Sequence, residues 1–90
     1  MIIVKDDVYL EQLFNILRTI KKDNKTPAIK FEKELSDKIE LLKDNPQMCR
    51  QSNYFQSVDY RDLIYSGYTI IYKVEEEKIL ILEIFKWQSR

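Results

Sequence analysis

The side chains best suited to chemistry in this sequence are four cations and two tyrosines of the second half: Arg61, Lys73, Lys86 and Arg90, with Tyr65 and Tyr72. Cations could stabilise a charged phosphorane and a tyrosine could move a proton, as RNA cleavage requires. A structural interpretation competes with this one. Arg61 lies between Asp59 and Asp62, which favours a surface ion pair. The last two cations stand near the chain end, where side chains are usually solvated, and tyrosines are typical of half-buried strand positions.

Composition excludes other reaction centres. The chain has no histidine and a single cysteine, Cys49, so neither a Cys/His metal cluster nor a Ser/His or Cys/His nucleophile can form. One glycine cannot build a phosphate-cradling loop. We therefore predict no metal, no cofactor and no standard catalytic set, and interpret Cys49 as a loop thiol without a special role. A lone cysteine also forms no internal disulfide, which is typical of a reducing cytoplasm.

Charge and hydropathy narrow the choice of partners. Lys and Arg total 15, as do Asp and Glu, and residues 58–90 carry five basic and six acidic side chains, a net charge of −1. Neutralising phosphates requires a local surplus of cations, so nucleic acid is disfavoured as the primary ligand. The longest aliphatic run, Ile79 to Leu82, is four residues, against the roughly 20 that span a bilayer. The apolar N-terminal stretch is also too short for a signal peptide. We expect no membrane partner and a cytoplasmic location.

The first half of the chain predicts a strand and two helices. Ile2 to Val4 is apolar and β-branched in the manner of a strand, and Asp6 or Asp7 can cap the helix that follows. The predicted apolar stripe of this first helix is Leu10, Leu13, Phe14, Leu17 and Ile20. A second helix is predicted to open at Thr26-Pro27, with Thr26 as its cap. Its predicted buried stripe is Ala28, Phe31, Leu35, Ile39 and Leu42. Asp44-Asn45-Pro46 ends this helix and completes a helical hairpin.

The second half predicts a loop and then three antiparallel strands. Residues 47–57 show no period and are interpreted as a loop that crosses to the sheet. The strands are Tyr60 to Tyr65, Tyr68 to Val74 and Lys78 to Lys86, with Ser66-Gly67 as the first turn. Strict alternation in the last strand places Leu80, Leu82 and Ile84 on one face and Ile79, Ile81, Glu83 and Phe85 on the other. Residues 1–90 are thus expected to form a single α+β domain: an N-terminal strand, a helical hairpin and a three-stranded antiparallel sheet with the helices packed on one face.

Several segments together resemble the RelE/ParE superfamily of bacterial toxins. Leu41-Leu42-Lys43-Asp44-Asn45-Pro46 is similar to the Leu-x-x-x-Pro ending of the ParE helical hairpin, and Tyr60-Arg61-Asp62-Leu63 to the family's Arg-x-Leu strand. Gly67 to Val74 resembles its Gly-x-Tyr-x-Ile-x-Tyr-x-Val strand, and Ile79 to Phe85 its closing strand. Tyr/Ile strands are common, so the specificity lies in the order of the segments.

The resemblance implies a toxin of a type II toxin–antitoxin system, and the superfamily holds two activities. RelE-type members cleave messenger RNA on the ribosome, whereas ParE-type members poison DNA gyrase. Where RelE-type enzymes carry catalytic lysines, arginines and a tyrosine, this sequence has Tyr60, Asp62, Thr69 and Ser89. Because none of these is cationic, the chain is closer to ParE than to RelE, and we expect it to act on gyrase. A ribosome-dependent mRNA interferase with a non-standard site, and an inactive member that only binds antitoxin, remain alternatives.

The resemblance also implies two contact surfaces. A cognate antitoxin wraps the helical hairpin and sheet in this superfamily, so apolar residues outside the core stripes become candidates for that contact: Val8, Ile16, Ile29 and Phe85. The residues expected to touch the target are Arg61, Lys86, Trp87 and Arg90. Tryptophan is enriched in binding hot spots, although Trp87 could instead cover the sheet edge as core. A homodimer or a toxin–antitoxin hetero-oligomer is compatible with this pattern.

Overall fold

A computed structural model of the chain describes residues 1–22 and 24–86; Trp87 and Arg90, two of the expected target contacts, therefore lie outside the described residues. The elements in chain order are β1 (Ile2–Lys5), α1 (Asp7–Lys21), α2 (Lys25–Glu40), β2 (Arg50–Gln51), β3 (Tyr60–Tyr65), β4 (Tyr68–Val74) and β5 (Lys78–Lys86), with a 3₁₀ turn at Leu41–Lys43. Within the described ranges, no helix is both long and apolar enough to cross a membrane.

Polar caps set where both helices begin. The Asp6 side chain accepts a 2.8 Å hydrogen bond from the Val8 amide, which confirms one of the two predicted caps of α1. Asn24, not Thr26, caps α2, because its side chain accepts from the Thr26 amide at 3.0 Å. The helix therefore starts two residues earlier than expected, and Pro27 stands in its first turn, where a missing N–H costs nothing.

The sheet has five strands in the order β1-β5-β4-β3-β2, rather than the three expected. The N-terminal strand joins one edge by pairing in parallel with β5, with Ile3 opposite Ile79. At the other edge, Arg50 pairs with Asp62 in a two-residue strand inside the segment interpreted as a loop. β2 was missed because a strand of two residues has no period to detect. β1 was predicted as a strand, and only its pairing with β5 was not foreseen. The helices pack on one face of the sheet, as predicted.

The β3–β4 hairpin turns at Ser66 and Gly67, as predicted. Both residues have positive φ, 52° and 84°, so the chain reverses within two residues. This left-handed backbone is open to glycine and strained for most side chains, and paired positive φ angles match the twist of the flanking strands.

A β-bulge in β5 overturns the predicted division of its side chains between the two faces. The register with β4 shifts between Ile71 and Tyr72, because Ile71 pairs with Glu83 whereas Tyr72 pairs with Ile81. Leu82 is thus the extra residue, and alternation resumes one position out of step. Ile79, Ile81 and Ile84 consequently all belong to the core beneath the helices.

The core lies between the helical hairpin and one face of the sheet. All five predicted residues of the α2 stripe are buried. In α1, Tyr9 is buried and Ile16 packs against the core, whereas Leu10 and Phe14 are 45% and 60% exposed. The stripe of α1 is therefore rotated relative to the prediction, and two large apolar side chains face solvent.

Candidate binding surfaces

Arg61 holds the crossing loop to β3. Its guanidinium Nη1 donates to the backbone carbonyl of Cys49 at 2.7 Å and to that of Gln47 at 3.4 Å. Its Nε is buried and has no hydrogen-bond partner among the described residues. The ion pair expected with Asp59 or Asp62 is not formed, so that interpretation was wrong. Strand register places Arg61 opposite Tyr72, on the face that carries the helices.

Asp62 lies on the opposite face of β3 and anchors the same loop. Its side chain is fully buried, and Oδ2 accepts from Arg50 Nη2 at 3.4 Å and from the Asn53 amide at 3.1 Å. The neighbouring Thr69 is also fully buried. Asp62 Oδ1 and Thr69 Oγ1 have no partner within residues 1–22 and 24–86. A buried carboxylate paired in this way offers no cation or donor to a phosphate.

The six side chains first considered for RNA cleavage do not converge. Adjacent strand residues point to opposite faces, so Lys73 and Arg61, which pair with Tyr60 and Tyr72 respectively, lie on different sides of the sheet. Lys73 Nζ forms an ion pair with Glu75 at 3.4 Å and lies 5.5 Å from the centroid of the Tyr60 ring. No compact site is formed by those of the six that the structure describes.

Both tyrosines of that set make structural hydrogen bonds. Tyr72 Oη donates to the Pro46 carbonyl at 2.9 Å, and burial raises the pKa of this phenol well above its usual value. Tyr65 Oη donates to Glu34 Oε1 at 3.2 Å, and burial followed by this hydrogen bond raises the Tyr65 pKa. Both phenols therefore stay protonated near neutral pH and cannot act there as general bases.

The helical hairpin carries a groove of about 470 Å³ on its outer side. Its lining includes Leu10 and Leu13 from α1 and Ile29 from α2, and Ile29 is 63% exposed. Lys33 and Asp37 on the rim form an ion pair at 3.3 Å. The groove thus has an apolar floor and a rim of mixed charge. Sequence reasoning assigned Leu10 to the core, although the alternative stripe through Tyr9, Leu13, Ile16, Leu17 and Ile20 has the same spacing.

A second depression, of about 450 Å³, lies where α1 passes the end of β5. It brings together three residues singled out from the sequence: Ile16, Phe85 and Lys86. Phe85 also packs edge-on against Tyr54, with ring centroids 5.3 Å apart. The fourth expected antitoxin contact, Val8, is 52% exposed and is not among the residues that line these two depressions. Of the four predicted antitoxin contacts, Ile29 thus lies in the hairpin groove, Ile16 and Phe85 lie in the second depression, and Val8 lies in neither.

One side chain completes the sheet beside this second depression. Gln12 Oε1 accepts a 2.8 Å hydrogen bond from the Ile84 amide. Because β1 pairs with β5 only as far as Ile81, that amide has no strand partner and the α1 side chain takes the place of one.

Comparison with known proteins agrees with this geometry. A family model described as the ParE toxin of the type II toxin–antitoxin system parDE matches residues 5–88. A solved structure titled as the chromosomal ParDE toxin–antitoxin system from P. aeruginosa is similar in fold, with a TM-score of 0.77, 15% sequence identity, and coverage of 96% of this chain and 95% of that one. A search of curated proteins gave no match. The family match covers nearly the whole chain, which therefore belongs to the ParE toxin family of type II toxin–antitoxin systems.

Proposed function

We propose that this toxin acts on DNA gyrase and that a cognate antitoxin neutralises it. The observation that carries the choice of gyrase over messenger RNA is the buried Asp62 carboxylate, which pairs with the half-exposed Arg50. Asp62 stands where the resemblance aligns RelE-type enzymes with catalytic residues, and Tyr60 and Thr69 stand at two further such positions. A buried carboxylate and two uncharged side chains supply no cation to a polyanionic substrate at these positions. Gyrase and an antitoxin would both place the toxin in the cytoplasm.

The requirements of RNA cleavage support the same choice. Cleavage needs cations that meet the phosphate and a group that can lose a proton near neutrality. Arg61 donates its hydrogen bonds to backbone carbonyl groups of the crossing loop, and Lys73 forms an ion pair with Glu75. The pKa of Tyr72 is raised by burial, which removes it as a base. A toxin that works by binding a protein target needs none of these groups.

The hairpin groove is the surface that we assign to the antitoxin. Apolar floors with charged rims suit an amphipathic helix, whose anchors recur at three- and four-residue spacing. Leu10 lines the groove from α1 and is 45% exposed, and Phe14, one helical turn further along α1 and outside the groove lining, is 60% exposed. Ile29 lines the same groove from the second helix. Burying such apolar area would contribute roughly 25 cal/mol per Å² before the costs of association.

Inducible expression in bacteria, with separate labelling of new DNA and new protein, tests the target. We expect DNA synthesis to fail first and purified protein to inhibit supercoiling by purified gyrase. The matched control is Asp62→Ala, which should lose toxicity only in proportion to its loss of folded protein. Translation arrest that precedes DNA arrest, with cleaved transcripts, would overturn the proposal in favour of an mRNA interferase. Unchanged growth with folded protein present would show that this member is not toxic.

A further inference from the structure

The outer edge of β1 is an open site for strand pairing. Among the described residues, β1 is the last strand of the sheet, and its only strand partner is β5. The Ile2 amide donates to the Glu77 carbonyl at 3.3 Å and the Asp6 amide to the Ile81 carbonyl at 2.9 Å. Even-numbered residues of β1 therefore direct their backbone groups towards β5. In a parallel ladder the intervening residues, Ile3 and Lys5, direct their N–H and C=O groups outward.

Apolar side chains accompany this unpaired backbone. Ile2 and Val4 are 66% and 41% exposed on the sheet face away from the helices. Val4 stands beside Leu80 in register, so the strip continues onto β5. An exposed apolar edge of this kind is a template for another strand. The opposite edge, β2, has only two residues and offers no comparable template.

We infer that β1 pairs antiparallel with β1 of a second copy of this chain, about a two-fold axis that passes next to Val4. In this register Ile3 of each copy stands opposite Lys5 of the other. All four outward backbone groups of each copy then find partners, which gives four inter-chain hydrogen bonds. The two Val4 side chains meet across the axis and join the apolar strips of both copies.

Charge favours this register over the one centred on Lys5. Ile2 of one copy lies opposite Asp6 of the other, and Lys78 is beside Ile2 in the sheet. Lys78 of one copy is then two strand spacings, about 10 Å, from Asp6 of the other. A lysine side chain can close much of that distance, and the contact occurs twice by symmetry. Lys78 also contacts Glu75 at 3.8 Å and Asp6 caps α1 through Oδ1, so the inter-chain contact would use Asp6 Oδ2. In a register centred on Lys5, the Lys5 side chains of the two copies would face each other, and their like charges would destabilise the pairing.

Disulfide trapping tests the register directly. Val4 on the axis is a non-hydrogen-bonded pair with an expected Cα separation of about 4.5 Å, within the range that a disulfide spans. In the same register Ile2 faces Asp6 of the other copy. The two Ile2 residues are therefore offset by four positions along the paired strands, and their Cα atoms are about 14 Å apart. In a Cys49→Ser background, made by cell-free synthesis, Val4→Cys should cross-link under mild oxidation at least tenfold faster than Ile2→Cys. Because Ile2 is the more exposed residue, random collision predicts the reverse order.

Sedimentation of the purified chain supplies an independent test. The wild type should show a concentration-dependent dimer, and Val4→Lys should weaken it at least tenfold. Ile64→Lys is the matched control, since Ile64 is 47% exposed on β3 and should leave the dimer unchanged. A monomer at every concentration, or equal cross-linking by both cysteines, overturns the inference. Loss of antitoxin binding by Val4→Lys in an otherwise monomeric chain would assign the edge to the antitoxin instead.

Discussion

The guanidinium of Arg61 donates a 2.7 Å hydrogen bond to the backbone carbonyl of Cys49, across twelve residues of sequence. The same β strand carries Asp62, which holds Arg50 and the Asn53 amide on the other face. Two adjacent residues thus fasten the crossing loop from both sides of the sheet. This arrangement assigns a structural role to a residue that the sequence suggested for target recognition.

Replacement of Arg61 separates these two roles. Arg61→Ala should lower the free energy of unfolding by about 2 kcal/mol, because two carbonyl groups lose a charged donor. Chemical denaturation measures the change. Lys30→Ala is the control, since Lys30 is exposed on α2 and should change stability by less than about 0.5 kcal/mol. Unaltered stability together with lost toxicity would instead show that Arg61 contacts the target.

Removal of the Gln12 side chain should weaken the end of β5. Gln12→Ala leaves the Ile84 amide without its 2.8 Å hydrogen bond, at a cost of about 1–2 kcal/mol. Hydrogen exchange at Ile84 should accelerate while the β3–β4 hairpin keeps its protection. Gln56→Ala, in the exposed crossing loop, serves as the control. Equal exchange at Ile84 in both variants would contradict the role given to Gln12.

Tyr9 should make the fold sensitive to alkaline pH. Burial, with a further contribution from Glu32, raises the pKa of Tyr9 from 10.0 to about 12. A raised folded-state pKa means that the unfolded chain loses its proton first, so the stabilisation is complete below pH 10 and disappears as the pH rises to 12. Tyr9→Phe should therefore flatten the fall in unfolding free energy across that window, by up to about 2.7 kcal/mol at pH 12 and about half of that at pH 11. Denaturation at pH 7 and at pH 11 would measure it, and parallel curves for both proteins would refute it.

The hairpin groove should tolerate a charge in the free toxin but not in the complex. Ile29 is 63% exposed, so Ile29→Glu should leave the fold intact and weaken antitoxin binding at least tenfold, or about 1.4 kcal/mol. Val58→Glu is matched in exposure, at 64%, and lies just before β3, away from the groove. Titration calorimetry and growth rescue on co-expression would compare the two variants. Equal rescue of both would place the antitoxin elsewhere.

Much of the fold could be predicted from local patterns in the sequence. The α2 stripe, the Ser66-Gly67 turn and the limits of the last three strands all depend on residues within one or two turns of each other. Helical and strand periods are properties of such neighbours, and so is the need for positive φ at a two-residue turn. The family resemblance rests on the same ordered segments, and the family match confirms it.

Tertiary contacts decided the rest, including the details of the candidate site. The bulge at Leu82 reverses which β5 residues meet the helices, and it arises from pairing with β4 rather than from any signal within β5. Arg61 and Asp62 are adjacent in sequence yet act on opposite faces, with partners 12 and 9–12 residues away. The edge position of β1 depends on its pairing with β5, more than 70 residues along the chain. Residue patterns encode the helices and strands because the geometry of each depends on neighbouring residues. Strand register, hydrogen-bond partners and exposed sheet edges are decided only when segments distant in sequence pack against the same surface.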